Sequence, residues 1–102
     1  MTQKKVIVSD CVRRDLEIIT DMVMQMTSAD FAERYARRIE AEISKLSYMA
    51  TVLPRCRWLL PLHYHPEAKT MPVCKRKLTV IFHIEGDYVI VDKVLPTAMV
   101  TY

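Results

Sequence analysis

The apolar positions in the first half of the chain recur mostly at helical spacing. A short β-branched run, Val6 to Val8, predicts a first strand. Ser9 and Asp10 follow it and are suited to the N-terminus of a helix, where backbone N–H groups need acceptors. The next apolar residues are spaced by four, three, four and three, which predicts one helical face ending near Met26. These residues are Val12, Leu16, Ile19, Val23 and Met26.

A second apolar series predicts a longer helix after the break at Thr27-Ser28. Asp30 supports its N-terminus, and Pro54 stops it because proline lacks the N–H that a helix interior requires. At about 1.5 Å per residue this helix would reach roughly 35 Å. The two helices together predict a helical hairpin. The series comprises Ala32, Tyr35, Ala36, Ile39, Ile43, Leu46, Ala50 and Leu53.

The second half of the chain has the composition of strands and turns. Trp58–Leu60 resembles the start of a strand cut by Pro61, and Leu78–Ile84 is strongly β-prone. Gly86 lies where a tight turn requires positive φ, before a further run, Tyr88–Leu95. The order is therefore β-α-α-β-β-β. We expect a single α+β domain over residues 1–102, with the helical hairpin packed on one face of a mostly antiparallel sheet.

Composition removes several classes of function. No apolar run approaches the roughly 18 residues that a membrane helix needs, so no membrane role is expected. One glycine in 102 residues excludes the glycine-rich loops that cradle nucleotide phosphates, and no cofactor is expected. Three cysteines, an odd number without paired spacing, indicate reduced thiols in the cytosol, where they would serve as small apolar fillers.

The basic residues concentrate in one segment of the chain. Residues 53–79 contain six Lys or Arg residues against the single acid Glu67, whereas the formal net charge of the chain is only +3. Such a segment predicts an anionic partner, either nucleic acid or an acidic protein, although a solvated surface loop would have the same pattern. The candidate target-binding residues are Arg57, His63, His65, Lys75, Arg76 and Lys77, together with His83 further along.

Each helix has a second feature that its core-facing stripe does not require. On the first helix Cys11, Ile18 and Met22 widen the apolar stripe, which favours either a partner or deeper burial in this domain. On the second helix a basic sector lies opposite the apolar face, which favours either solubility or docking of an acidic chain. This sector contains Arg34, Arg37, Arg38 and Lys45, of which the three arginines are the candidate antitoxin-binding residues.

The sequence contains no motif that assigns a catalytic or metal site. Zinc ligands could be drawn from Cys56, Cys74, His63 and His65, but the cysteines lack the close pairing of structural zinc sites, so no metal is expected. RNA cleavage through the 2′-hydroxyl would need a base, an acid and cations around the phosphorane. Residues of those types are present, yet His83 has apolar strand neighbours, which favours a residue on the strand surface over a catalytic base.

Three segments, in this order and at this length, resemble the RelE/ParE superfamily of toxins from bacterial type II toxin–antitoxin modules. Val6–Val23 is similar to the family's first strand and helix, with the acidic-leucine pair at Asp15-Leu16. Phe31–Arg55 is similar to the long second helix that ends in leucine and proline. Leu78–Met99 is similar to the paired strands with an acidic-glycine turn and a closing Val-Leu. The resemblance implies a cytoplasmic toxin that a cognate antitoxin neutralises, in a plasmid-stabilisation module.

The resemblance is closer to the ParE branch, which implies growth inhibition by binding DNA gyrase without enzymatic turnover. The alternative is a RelE-like endoribonuclease that cuts mRNA on the ribosome, but this chain has Thr79 where cleaving members carry an arginine. Their C-terminal basic and aromatic residues could correspond only to Tyr102, and Pro96-Thr97 also departs from ParE-like members. A non-toxic binding descendant of the family is the third possibility, so whether the chain is an enzyme stays open at this point.

Overall fold

In the computed structural model, which describes residues 3–100, the chain forms four strands and five helices. The strands are β1 (Lys5–Val8), β2 (Lys69–Val73), β3 (Leu78–Glu85) and β4 (Tyr88–Pro96). The helices are α1 (Asp10–Met26), α2 (Ala29–Ser44), α3 (Leu46–Met49), α4 (Leu59–Tyr64) and α5 (Thr97–Val100). Among these residues, no helix combines the length and apolar character needed to cross a bilayer.

The sheet has the order β1-β4-β3-β2. β1 pairs with β4 in parallel, whereas β3 pairs antiparallel with both of its neighbours, so the expected mostly antiparallel sheet is confirmed. β3 and β4 are joined through Gly86, whose φ of 58° is the positive value expected for this turn. A register shift at Ile81/Phe82 leaves Asp92 of β4 without a partner in the ladder.

The helical hairpin forms as predicted and covers one face of the sheet. The side chains of Ser9 and Ser28 accept hydrogen bonds from Val12 N–H and Phe31 N–H, which caps α1 and α2. Val12 and Ile39 of the hairpin are fully buried against Phe82 and Val91 of the sheet. Burying these side chains is the main source of stability in a domain of this size, because each removes its apolar surface from water.

A second, thinner layer covers the other face. Side chains alternate along β3, so Thr79, Ile81 and His83 lie opposite the helical hairpin, yet all three are buried. α5 contacts β3 and β4 there, and His65 stacks on His83. The sheet is therefore enclosed on both sides over its central strands.

Three details of the prediction are wrong. The segment at Trp58–Leu60 does not start a strand but leads into α4, because Pro61 falls in the first helical turn, where an N–H has no helical partner anyway. The edge strand next to β3 is instead β2. The second helix ends at Ser44 rather than near Leu53, and the chain bends into α3 so that Leu46 and Ala50 stay buried. Met26, placed on the core stripe, is 81% exposed.

Candidate interaction surfaces

The four-residue turn between β2 and β3, Cys74–Lys77, is called the basic turn below. Lys75, Arg76 and Lys77 are exposed, and none of them forms an ion pair within residues 3–100. Three consecutive residues have positive φ, with 52° at Cys74, 56° at Lys75 and 66° at Arg76. Residues with a Cβ rarely adopt this left-handed conformation, because the Cβ crowds the following carbonyl oxygen. The basic turn is therefore strained and must be held by its surroundings.

Contacts from three directions hold the basic turn. Inside it, Lys77 N–H donates to the Cys74 carbonyl at 3.2 Å. From α5, Thr97 N–H donates to the Lys77 carbonyl at 3.0 Å. From α2, the Glu42 carboxylate accepts a hydrogen bond from Cys74 N–H at 3.0 Å. Cys74 itself is buried, and that burial is the largest cause raising the pKa of its thiol, so it remains protonated and acts as the small filler that the sequence predicted.

The other basic residues of the segment do not join this turn. The backbone of Arg55 forms an isolated antiparallel β-bridge with Lys69 at the start of β2. The side chain of Arg55 forms an ion pair with Glu67 at 3.2 Å. Lys69 donates to the Ala50 carbonyl at 3.0 Å, and burial, followed by the charge of Arg55, lowers its pKa. Arg57 is exposed close to this end of β2, about 17 Å of strand away from the basic turn. The basic segment is thus split into two surfaces by β2, a strand that the sequence analysis missed.

His83 lies near the Arg57 end of β2 and is only 6% exposed, so the expected position on the strand surface is wrong. Its ring is enclosed rather than presented to a ligand. Its Nδ1 lies 2.7 Å from Asp92 Oδ2 and its Nε2 lies 3.0 Å from Glu85 Oε1. Burial lowers the pKa of His83, but the hydrogen bonds and charges of the two carboxylates outweigh that effect and raise it above its ordinary value. The charged imidazolium donates to both carboxylates, so His83 fastens β3 to β4 beside the register shift.

His65 covers the ring of His83. The two ring centroids are 3.8 Å apart and the planes differ by 2°, and His65 Nδ1 accepts a hydrogen bond from Glu67 N–H at 3.0 Å. His65, His83 and Glu85 place possible ligand atoms within 4.8 Å of one another. A metal ion lies in the plane of each imidazole that binds it, and two parallel stacked rings cannot share such an ion. Hydrogen bonds and stacking account for this cluster without a metal.

The remaining target-binding candidate, His63, lies in a different setting. It is exposed on α4 and lines an open depression of about 590 Å³ with Leu59, Leu60 and Met99. Leu59 is 80% exposed and Met99 is 51% exposed, so the depression is largely apolar. His63, His65 and His83 are therefore not brought together as one site, although the last two are in contact.

The apolar flank of α1 remains open to solvent. Ile18 is 59% exposed and Met22 is 56% exposed, which resolves the alternative of burial within this domain's own core. Both line a groove of about 170 Å³ whose other wall is the end of β4, at Val94–Pro96. Cys11 is exposed on the same helix, so it is not the apolar filler that the sequence analysis expected, and its Sγ lies 3.5 Å from Lys93 Nζ.

The basic sector of α2 is also at the surface, partly engaged in pairs within its own helix. Arg37 pairs with Glu33 at 2.6 Å, and Arg38 lies 3.7 Å from Glu42, the residue that holds the basic turn. Arg34 lies 6.0 Å from the centre of the Phe31 ring. Arg38 is thus beside the basic turn, whereas Ile18 and Met22 of α1 face the end of β4, so the predicted antitoxin-binding residues occupy two distinct patches.

Two residues that the sequence resemblance singled out, Asp15 and Thr79, make contacts that join separate elements. Asp15 of the acidic-leucine pair accepts from Lys93 Nζ at 2.7 Å and from Val94 N–H at 3.4 Å, which joins α1 to β4. Thr79 is buried, and its hydroxyl lies 2.9 Å from that of Thr97. No charged group is therefore present at position 79, and Tyr102 lies outside the described residues.

The residues that the sequence analysis missed are three acids, Glu42, Glu85 and Asp92, of which only Glu42 is distant along the chain from its partner. Glu42 is 32 residues from Cys74, and no periodicity links them. Asp92 and Glu85 were more accessible to prediction, because Glu85 shares a strand face with His83 and Asp92 lies on the adjacent strand of a predicted hairpin. Alternation along that hairpin was the one signal that could have found the partners of His83.

Comparisons with known proteins support the fold. No family model matches the sequence, and no curated protein matches it. A chain of the solved structure "Chromosomal ParDE TA system from P. aeruginosa" matches with a TM-score of 0.79, over 94% of this chain and 98% of that chain. The sequence identity is 12%, so the likeness concerns the fold. The RelE/ParE-like fold that the sequence resemblance implied is confirmed.

Proposed function

We propose that the chain is the toxin of a type II toxin–antitoxin module, that it inhibits growth by binding DNA gyrase, and that an antitoxin neutralises it in the cytoplasm. The observation that carries the proposal is the fold, which matches a ParDE structure over nearly the whole of both chains.

The basic turn supports an anionic target. Its three exposed cations have no ion-pair partner within residues 3–100, and their backbone is fixed by contacts to α2 and α5. Cations on a pre-ordered turn lose less conformational entropy on binding than cations on a flexible loop. We therefore assign the basic turn as the principal target-binding element, with Arg57 and His63 on separate surfaces.

The exposed flank of α1 supports an antitoxin partner. Ile18 and Met22 expose large apolar side chains beside an apolar groove, and such a surface gains stability when a partner covers it. An amphipathic segment could place apolar side chains in this groove, and acidic residues further along could reach the arginines of α2.

The endoribonuclease alternative receives no comparable support from the geometry. His83 is buried between two carboxylates beneath His65, and Thr79 provides no cation for a developing phosphorane charge. The first feature is unfavourable for a general base and the second for stabilising the transition state of RNA cleavage.

Inducible expression in bacteria tests the proposal. We expect wild-type protein to stop growth and to produce gyrase-linked DNA breaks, and we expect alanine substitution of Lys75, Arg76 and Lys77 to abolish both effects. The matched control removes three exposed cations elsewhere, at Lys5, Arg13 and Arg14, and should retain toxicity. Codon-positioned mRNA cleavage by translating ribosomes would refute the gyrase assignment. Unimpaired growth under wild-type expression would refute the toxin assignment.

A further inference from the structure

The strain in the basic turn raises the question of what keeps three consecutive residues left-handed. Neither Cys74, Lys75 nor Arg76 is glycine or asparagine, the residues that tolerate this conformation best. The hydrogen bond from Lys77 N–H to the Cys74 carbonyl closes the turn but does not select its hand. The twist of β2 and β3 favours positive φ at the two central residues, Lys75 and Arg76, but it does not account for positive φ at Cys74. An external contact to Cys74 is therefore the one that matters for the left-handed form.

Glu42 makes that contact from α2. Its Oε2 accepts from Cys74 N–H at 3.0 Å and lies 3.8 Å from Cys74 Sγ. The Glu42 side chain is only 22% exposed, so the charged acceptor is partly shielded from water and the bond to it is strengthened. Within residues 3–100, no other side chain accepts a hydrogen bond from a backbone N–H of the basic turn.

The same carboxylate oxygen also faces the basic sector of α2. Arg38 Nε lies 3.7 Å from Glu42 Oε2, the atom that Cys74 N–H contacts. A ligand carboxylate that draws Arg38 away would leave Glu42 free to bind the turn more tightly. The arginine surface of α2 and the basic turn therefore share one group.

We propose that Glu42 is a positioning residue that holds the basic turn in its left-handed form and links that turn to Arg38 on α2. The role of the turn in target binding rests on the proposed function, whereas the effect of Glu42 on its conformation does not. The cations are presented on a fixed backbone because an acid distant in sequence orders them.

The test combines a conformational readout with a functional one in the full chain. In Glu42→Ala we expect amide exchange at Cys74 and Lys77 to accelerate by about tenfold or more, the change expected for losing one charged acceptor. The intraresidue amide–Hα NOEs of residues 74–76, which are strongest at positive φ, should weaken. Glu42→Gln, which keeps an acceptor oxygen, should retain most of the wild-type pattern.

Two further variants separate positioning from general stability. Glu33→Ala removes the equivalent acid of the exposed Glu33–Arg37 pair on the same helix and should leave the basic turn unchanged. Lys75→Gly in the Glu42→Ala background should restore the left-handed NOE pattern at Cys74 and Arg76, because glycine at position 75 adopts positive φ without strain. Arg38→Gln should slow exchange at Cys74, because the full charge of Glu42 then acts on the turn.

The functional readout is growth inhibition by each variant at equal soluble protein. We expect Glu42→Ala to lose inhibition to the same extent as the alanine triple of the basic turn, and Glu42→Gln to retain it. Unchanged exchange and NOEs in Glu42→Ala would overturn the positioning role. Absence of inhibition by wild-type protein, with altered exchange in Glu42→Ala, would overturn the proposed function but leave the positioning role intact.

Discussion

We expect the proton bound to His83 to make the free energy of unfolding depend on pH. His83 donates to Asp92, whose side chain is 16% exposed, and to Glu85, which is 64% exposed. His83→Phe keeps a ring of similar shape above β3 and beneath His65, but it leaves the Asp92 carboxylate without its partner. Loss of a hydrogen bond to a partly buried charge costs about 1.5–3 kcal/mol. The Glu85 contact adds little, because water screens it.

The sign of the pH dependence follows from the direction of the shift. The pKa of His83 is raised in the folded protein, since the carboxylates outweigh burial, so the folded state binds this proton more tightly than the unfolded state. This stabilisation is fully present below the unfolded pKa, near 6.5, and is lost as the pH rises through the folded value. The difference between wild type and His83→Phe should therefore be largest near pH 6 and smaller near pH 9.

Urea unfolding at several pH values measures this difference. A loss of about 2 kcal/mol would move the midpoint by roughly 1 M urea. His63→Phe is the matched control, because His63 is exposed, and it should follow the wild-type profile. Parallel profiles for wild type and His83→Phe between pH 6 and 9 would refute the assignment of a bound proton, as would a difference that grows with pH.

Three further predictions concern other contacts. Lys93→Met should lower the free energy of unfolding by about 2–3 kcal/mol in urea titrations, because Asp15 loses its ion-pair partner. The side chains of this pair are only 20% (Lys93) and 13% (Asp15) exposed. Arg37→Met, which breaks the exposed pair with Glu33, should cost under about 0.5 kcal/mol. Arg76→Gly should raise the free energy of unfolding by about 0.5–1 kcal/mol in thermal melts. The steric strain of positive φ that glycine removes is larger than the conformational entropy that glycine loses on folding. A lower melting temperature would contradict the assignment of strain to Arg76. A double glutamate substitution at Ile18 and Met22 should keep toxicity but escape rescue by a protein co-expressed from the adjacent reading frame, while Met24→Glu, also exposed on α1, should still be rescued.

The long-range polar contacts show where prediction from the sequence reached its limit. Hydrophobic spacing correctly predicted α1, the β3–β4 hairpin and the helical layer, because these depend on residues close in sequence. It misjudged Trp58–Leu60, since a short apolar run followed by proline is compatible with either a strand end or a first helical turn. It also missed β2, which contains Pro72. A proline is tolerated in this strand because β2 lies at the edge of the sheet, where one side of the strand has no neighbour to bond.

The sequence by itself determined the fold class and the chemical character of the surfaces, because periodicity, punctuation and charge are local properties of the chain. Only the tertiary structure decided which charges act together. Folding placed β2 between Arg57 and the basic turn, enclosed His83 between Asp92 and Glu85, and brought Glu42 of α2 to Cys74. These outcomes depend on strand register and helix packing, which join residues far apart in sequence, so no local pattern contains them.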